Sequence, residues 1–543
     1  MSEPVADTST QAPASRADAD AWLRNKARRV VGAHLTTRED ADFARSVKSM
    51  IDKTVHEYDG RFVFELIQNG YDKQDRDRRD GRLAITLVHH ELEHGVLYVA
   101  NTGQGFTRSN VRAIANLGLS DKELGEGIGN KGVGFKSVLQ ICESPEVYST
   151  LPDGSPGFCF RFARVEDIPA LVDEDPVGAQ QVLDEMSLYS ITVPAEGTPN
   201  HVAALWQQGY SSVIRLPLSD GALGLVITRL QDLTRSESPV LLFLPRLETV
   251  TVRHETATEH AEKVLSRRRE RTLDLHADFQ SEIVVLDGHH RYLAFSQEVP
   301  HQDVAAATRR AVEGHRLDPK WEDSTAPTKV SVAVPFDAPD AFTGRYYTYL
   351  PLGAKAPAPF AGHLNAPFST NLARTDVDVS NPLNRLLLGA TASLCLAAAE
   401  ALTQWDERPA ETVLDLICWD AEQLPILEEA ADAHGLPLTK RMLVPSRHPG
   451  RWTSTEDVWR WPTPATAILN VAFVSATCGV DFLPDLAPQR SERFTAMLSA
   501  LGLSADPPPE RLVSWVALTP RDARRSPSAE SGVLCPKCAQ SAP

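Results

Sequence analysis

The sequence predicts a mixed α/β chain: an α/β region at the N-terminal side, a second α/β region, and a mostly helical C-terminal part. Three observations lead there. A length of 543 residues exceeds what one hydrophobic core organises, so several domains are expected. Helical and strand periodicities alternate from residue 41 to about residue 335, with no repeat of 20 to 50 residues. Beyond Ala390 the apolar spacing becomes chiefly helical.

Taken in order, residues 1–20 are acidic and rich in Ala, Ser and Pro, without a signal peptide's apolar run, and read as a disordered leader. Between Ala41 and Asp75, Val47, Met50, Ile51 and Val55, then Phe62, Val63, Leu66 and Ile67, recur at helical spacing on either side of Gly60, which predicts two helices. Leu83, Ile85 and Leu87 alternate, a polar turn follows at 93–95, and Val96 to Ala100 forms a second run, so a hairpin is expected. A short helix over Ser109–Leu117 precedes a glycine-rich stretch, and "FKSVLQICE" restarts a helix.

Later strands are expected at "GFCFRFARV", "SSVIRLPL", "VLLFLPRLETVTV", "SEIVVLD" and "KVSVAVPF", whereas "EKVLSRRRERTLDLHADF" reads as helical. "LLLGATASLCLAAAEAL", broken by Glu400, is shorter than a bilayer span of about 20 residues and reads as a buried helix. The resulting units are 1–20, 21–237, 238–395, 396–520 and a flexible tail, 521–543.

A formal charge of −17 speaks against a general nucleic-acid or membrane-surface binder. The seven cysteines are scattered and odd in number, which suits reduced thiols in a cytoplasmic protein. Cys535-Pro536-Lys537-Cys538 is half of a zinc ribbon without a second pair, so no metal site is assigned to it.

Three segments carry the chemistry. Glu65 and Asn69 lie four apart on one helix, with Asp72 a further three on, so one face presents a carboxylate and an amide together. A carboxylate can deprotonate a water, and an amide oxygen is a hard ligand suited to Mg²⁺. A plain solvent face would look the same. The second segment is a strand running into Asn101-Thr102-Gly103-Gln104-Gly105. The third, "GEGIGNKGVGFKSV", approaches the phosphate-binding pattern G-x-x-x-x-G-K-[ST], but Phe135 intrudes before Lys136.

In this order the segments resemble the GHKL ATPases: gyrase, the ninety-kilodalton heat-shock chaperone, histidine kinases and MutL proteins. The similarity is nearest to the chaperone and to sacsin-like and plant NO VEIN-type proteins. It is carried by "ELIQNGYD", "AIANLGLSDK", "IGNKGVGFKSV" and "SSVIRLPL", between about Arg61 and Leu218. The resemblance implies a Bergerat-type α/β sandwich ATPase domain, then a region like the chaperone's middle domain. It implies ATP and Mg²⁺ as ligands, Glu65 as general base, Asn69 on the metal and Asp72 lining the base pocket. Gly103, Gly105 and Ser212, the last where threonine is usual, would be further nucleotide-binding positions. Gly129, Gly132, Val133, Gly134 and Phe135 would bring backbone to the phosphates, and Phe135 would anchor the new helix in the core. Lys136 would add charge there or stand solvated on the helix.

Asn101 departs from the pattern, because the family has an aspartate that accepts from the adenine amino group. An asparagine keeps an acceptor oxygen but loses the charge, and its NH₂ needs another partner. "LNAPFSTNLARTDVDVSNPLNRLLL" resembles the segment that follows the ATPase domain in sacsin and NO VEIN, which would bring Arg374 to the γ-phosphate. A salt bridge from Arg374 to Asp376 or Asp378 is the alternative.

Two functions are compatible with these residues: a Mg-dependent ATPase whose lid, Gly118 to Gly129, closes on ATP in a chaperone-like or regulatory role, and a non-hydrolysing nucleotide-binding scaffold. Both imply protein partners or clients and allow a homodimer. A DNA-linked role lacks support in the charge. His89, His90 and His94 read as exposed, His254 and His260 do not fit H-E-x-x-H, and Arg267 to Arg271 read as a solvated helical face.

Overall fold

The computed structural model describes residues 12–36, 61–115, 134–235, 239–322, 327–337, 342–353, 356–370, 376–407, 410–462 and 469–518. The first of the two helices read between Ala41 and Asp75 lies outside these residues, as do the lid segment, Gly129, Gly132, Val133, Arg374, Cys535 and Cys538.

Helix α1 (Arg16–Thr36) takes in residues that the sequence assigned to the leader. Helix α2 (Phe62–Asp72) is followed by the expected hairpin, β1 (Gly81–Val88) and β2 (Val96–Asn101), paired from Leu83↔Asn101 to Val88↔Val96. Helix α3 (Arg108–Ala115) comes next. The helix expected from Phe135 is 3₁₀ in form, over Gly134–Gln140. Strands β3 (Glu146–Thr150), β4 (Pro156–Phe162), β5 (Thr192–Pro194) and β6 (Ser212–Pro217) follow, with α4 (Pro176–Glu185) and α5 (Asn200–Gln207) between them, and α6 (Ala222–Thr234) after β6.

Strand β7 (Leu247–Glu255) pairs parallel with β1 on one side and antiparallel with β8 (His260–Leu273) on the other. Beyond it stand β9 (Gln280–Leu286), β10 (His290–Val299), β11 (Thr328–Pro335), β12 (Tyr346–Thr348), β13 (Leu350–Pro351) and β14 (His363–Asn365), with helix α7 (His301–Glu313) between β10 and β11. All fourteen strands join one mixed sheet, β13-β12-β14-β11-β10-β9-β8-β7-β1-β2-β6-β3-β4-β5. The sheet therefore passes without a break from the first region into the second. Val240–Leu244, read as part of a strand, instead forms turns whose side chains pack in the N-terminal core.

"EKVLSRRRERTL" is strand rather than helix. Arg and Glu favour helices locally, but β7 and β9 both offer pairing edges, and that tertiary ladder prevails. Arg267, read as solvated, is buried and hydrogen-bonds Glu282 at 2.8 Å and the Leu242 carbonyl at 3.3 Å, while Arg268 and Arg269 are exposed. His89 is not simply exposed either: it is half-buried, its ring 4.3 Å from that of His254.

The C-terminal part is largely helical. Helix α8 (Pro382–Thr403) is long and apolar enough to cross a membrane, yet its Leu383, Leu387, Leu388, Leu394 and Leu402 are fully buried in the second core, beside Val330, Val332 and Phe295. Asn381 caps it by accepting from the Leu383 amide.

Candidate functional site

The site forms where α2 lies on one face of the β1–β2–β6–β3 section. Along β2, Leu97, Val99 and Asn101 share a face by strand alternation; along β6, Ile214 and Leu216 share it with Ser212. Register puts Asn101 opposite Ser212, and Ser212 opposite Ser149 of β3. Asn101, Ser212 and Ser149 thus make one polar row on a face otherwise lined by the N-terminal core.

Each of the three is matched three positions along its own strand by a residue on the opposite face: Tyr98, Arg215 and Glu146, in register with one another. There Arg215 donates to Glu146 at 3.0 Å, to Glu91 at 2.9 Å and to the Tyr98 hydroxyl at 3.1 Å. One face is a closed ion network, and the other carries neutral polar groups.

Helix α2 lies flat on the neutral row because Gly70 has no side chain. A Cβ there would stand 2.9 Å from Leu83 Cδ2 and 3.3 Å from Asn101 Cβ. Glu65 is buried, 3 % exposed, and Asn69 and Asp72 are half-buried. Glu65 is therefore turned into the protein, while Asn69 and Asp72 keep part of their surface in solvent.

The Asn101–Gly105 turn is pinned on both sides. Gly103 has φ +107°, and a Cβ on it would stand 2.3 Å from the Lys73 carbonyl oxygen; one on Gly105 would be as close to Thr150 O. Gln74, which the sequence did not single out, ties helix to turn: its Nε2 donates to Gly70 O at 2.9 Å and to Thr102 O, and its Oε1 accepts from the Thr102 hydroxyl at 3.1 Å. No motif flagged it, since a polar residue just past a helix end is commonplace.

Asn101 solves the partner problem locally. Its Nδ2 donates to Thr102 O at 2.7 Å, and among the described residues its Oδ1 accepts no hydrogen bond. Beside it Ser212 is 1 % exposed, and its hydroxyl has no partner among the described residues. A buried hydroxyl left unpaired costs about 1–3 kcal/mol. An acceptor and a hydroxyl stand side by side across two strands, suited to the edge of a polar ring.

At the other end Gly134 opens the 3₁₀ turn and Phe135 packs into the core, 6.2 Å from the Phe162 ring, as expected of an anchor. Lys136 is not solvated. It is 3 % exposed, donates to Tyr189 O at 2.7 Å and lies 5.0 Å over the Phe162 ring. Lys26 of α1 is also buried and reaches Thr192, the cross-strand partner of Phe162, at 3.4 Å. Burial, helped by the charge of Lys26, pushes the Lys136 ammonium down from 10.5 to about 7. Burial, then Arg112 and Arg29, bring Lys26 down to about 8.

Among the described residues no cluster of three or more His, Cys, Asp or Glu could hold a metal ion. A Mg²⁺ ion here would rest on the Asn69 amide oxygen and on phosphates, a donor set of hard oxygens that suits it. In the second region Asp378 lies 3.5 Å from Arg316 and accepts from the Ser380 hydroxyl.

No family model matches the chain. A stretch of 222 residues is 26% identical to Protein NO VEIN of Arabidopsis thaliana, covering 40% of this chain and 7% of that protein. The matched stretch is thus a small part of a much longer relative, and the likeness is distant and partial.

Proposed function

We propose that the N-terminal region binds ATP in a Bergerat-type sandwich and, with Glu65 as general base, hydrolyses it in the presence of Mg²⁺. The observation that supports this best is the neutral row under α2, where the Asn101 acceptor and the Ser212 hydroxyl, without a partner among the described residues, sit beside each other. The adenine amino group would donate to Asn101 Oδ1, and Ser212 would reach a ring nitrogen directly or through water. Glu65, one helical turn before Asn69, would take a proton from the attacking water. Mg²⁺, when bound on Asn69, would offset phosphate charge. The output would be conformational, in a chaperone-like or regulatory setting in the cytoplasm, with protein partners.

A non-hydrolysing scaffold is the second reading, favoured by the uncharged Asn101. Calorimetric nucleotide binding and Mg²⁺-dependent turnover separate the two, with Glu65→Ala and Asn69→Ala alongside. Turnover lost with binding kept in Glu65→Ala, and binding lost in Asn69→Ala, supports the ATPase. Tight binding without turnover in the unaltered chain selects the scaffold, and no binding refutes both.

A further inference from the structure

The second region reaches back to α2 through one short hairpin. Strands β12 and β13 are joined through Tyr349, whose φ of +68° is a left-handed backbone conformation that aromatic residues seldom adopt. Its amide donates to the buried Asn365 Oδ1 at 2.6 Å, which holds the turn. Two positions earlier, fully buried Tyr347 donates its hydroxyl to Pro239 O at 3.2 Å and stacks edge-on against Phe243 at 5.0 Å.

Tyr349 itself packs against the N-terminal core cluster that contains Tyr71, in the last turn of α2. Arg246, in the segment leading to β7, lies 5.0 Å over the Tyr71 ring and accepts from the Gly81 amide at 3.0 Å through its carbonyl. Burial, with Tyr71 and Asp72 nearby, raises the Tyr349 phenol. The last turn of α2, which carries Tyr71 and Asp72, thus lies under Arg246, and Tyr349 of the second region packs against the same core. Glycine would adopt this backbone without strain and tyrosine does not, so the ring must gain something in its contacts.

We propose that Tyr349, a residue of the second region, is a positioning residue for the nucleotide site: by packing on the core that seats the last turn of α2 it sets Asn69 and Asp72 for ATP. This rests on the nucleotide-binding reading above. The test uses the full chain, measuring ATP affinity by calorimetry and stability by urea denaturation for Tyr349→Gly and Tyr349→Asn. Both residues tolerate the backbone without the ring. ATP affinity should fall about five-fold or more, the lower range of coupling between linked sites, while the denaturation midpoint moves little because strain relief offsets lost packing. A purely structural role would shift the midpoint and leave the affinity of the folded protein alone. Unchanged affinity in whichever variant folds overturns the proposal while leaving nucleotide binding standing. No ATP binding by the unaltered chain overturns both.

Discussion

Lys136→Met tests the interior electrostatics beside the glycine motif. In the folded chain burial and the Lys26 charge hold this ammonium at about 7 against 10.5 for a free lysine. Between those values the unfolded chain carries the extra proton, so stability climbs with pH through this window by up to about 1.4 kcal/mol per pH unit. Below pH 7 the full cost is present, about 5 kcal/mol; at pH 7, where half the folded molecules have lost the proton, about 4 kcal/mol remains. Methionine keeps the stem and removes the charge, but it leaves Tyr189 O without its donor, a loss that does not vary with pH. The slope is therefore the clean readout. Urea denaturation from pH 6 to pH 10 should show the variant's advantage over the unaltered protein shrinking by about 3–4 kcal/mol between pH 7 and pH 10. Parallel pH profiles would mean that Lys136 titrates normally, and the argument from burial would be wrong.

Two further substitutions probe the opposite faces of the β2–β6–β3 section. Ser212→Ala removes a buried hydroxyl that has no partner among the described residues, so urea denaturation should find the unliganded protein unchanged or steadier by about 1 kcal/mol. ATP affinity should fall in the same variant; a loss of stability with affinity intact would dissociate Ser212 from the base. Arg215→Met should destabilise by about 1–3 kcal/mol, since Glu146 loses its nearest cation and keeps only Arg164 at 3.6 Å and the Tyr148 hydroxyl, while Glu91 is left with the Tyr98 hydroxyl and water, and a double variant with Glu146→Gln should recover part of that. Equal effects of the single and double variants would show that the two carboxylates do not feel the arginine.

The hairpin β1–β2, β4 and β6 were legible, β1 through its alternating Leu83, Ile85 and Leu87 and the others as short apolar runs of the kind a strand buried on both faces leaves, whereas the five-residue β3 and three-residue β5 were not read from the sequence. The strand β8 was not, because its outward face is arginine and glutamate and its pattern lies in pairing on both edges. Local composition carries no trace of a ladder partner. The same holds for the end of the N-terminal region: Val240, Leu242 and Leu244 read as strand, and only the core they enter shows that they belong with α2 and β1. The parallel β1–β7 pair joins segments far apart in sequence, so the continuity of the sheet across both regions had no local signature.

The site was legible in its parts and not in its orientation. Spacing put Glu65, Asn69 and Asp72 on one face, but a face can look outward or inward with the same spacing, and Gly70 decided it by letting α2 lie against Leu83 and Asn101. Asn101 is the sharper case. Read as a residue type, it loses a charge and acquires an amide nitrogen that must be satisfied. In place, that nitrogen is bound to the next carbonyl, which fixes the amide so that the oxygen is the group left to accept. The hydrogen-bond polarity of an aspartate is thereby kept and only its charge is gone. A neutral acceptor is roughly half as strong as a charged one, so in the proposed adenine contact the exchange would weaken the bond without reversing what it selects. The same turn shows why the exchange is tolerated in the fold: Gln74 ties Thr102 to α2 and Lys73 O accepts from the Gln104 amide at 3.0 Å, contacts that do not involve the side-chain charge at position 101.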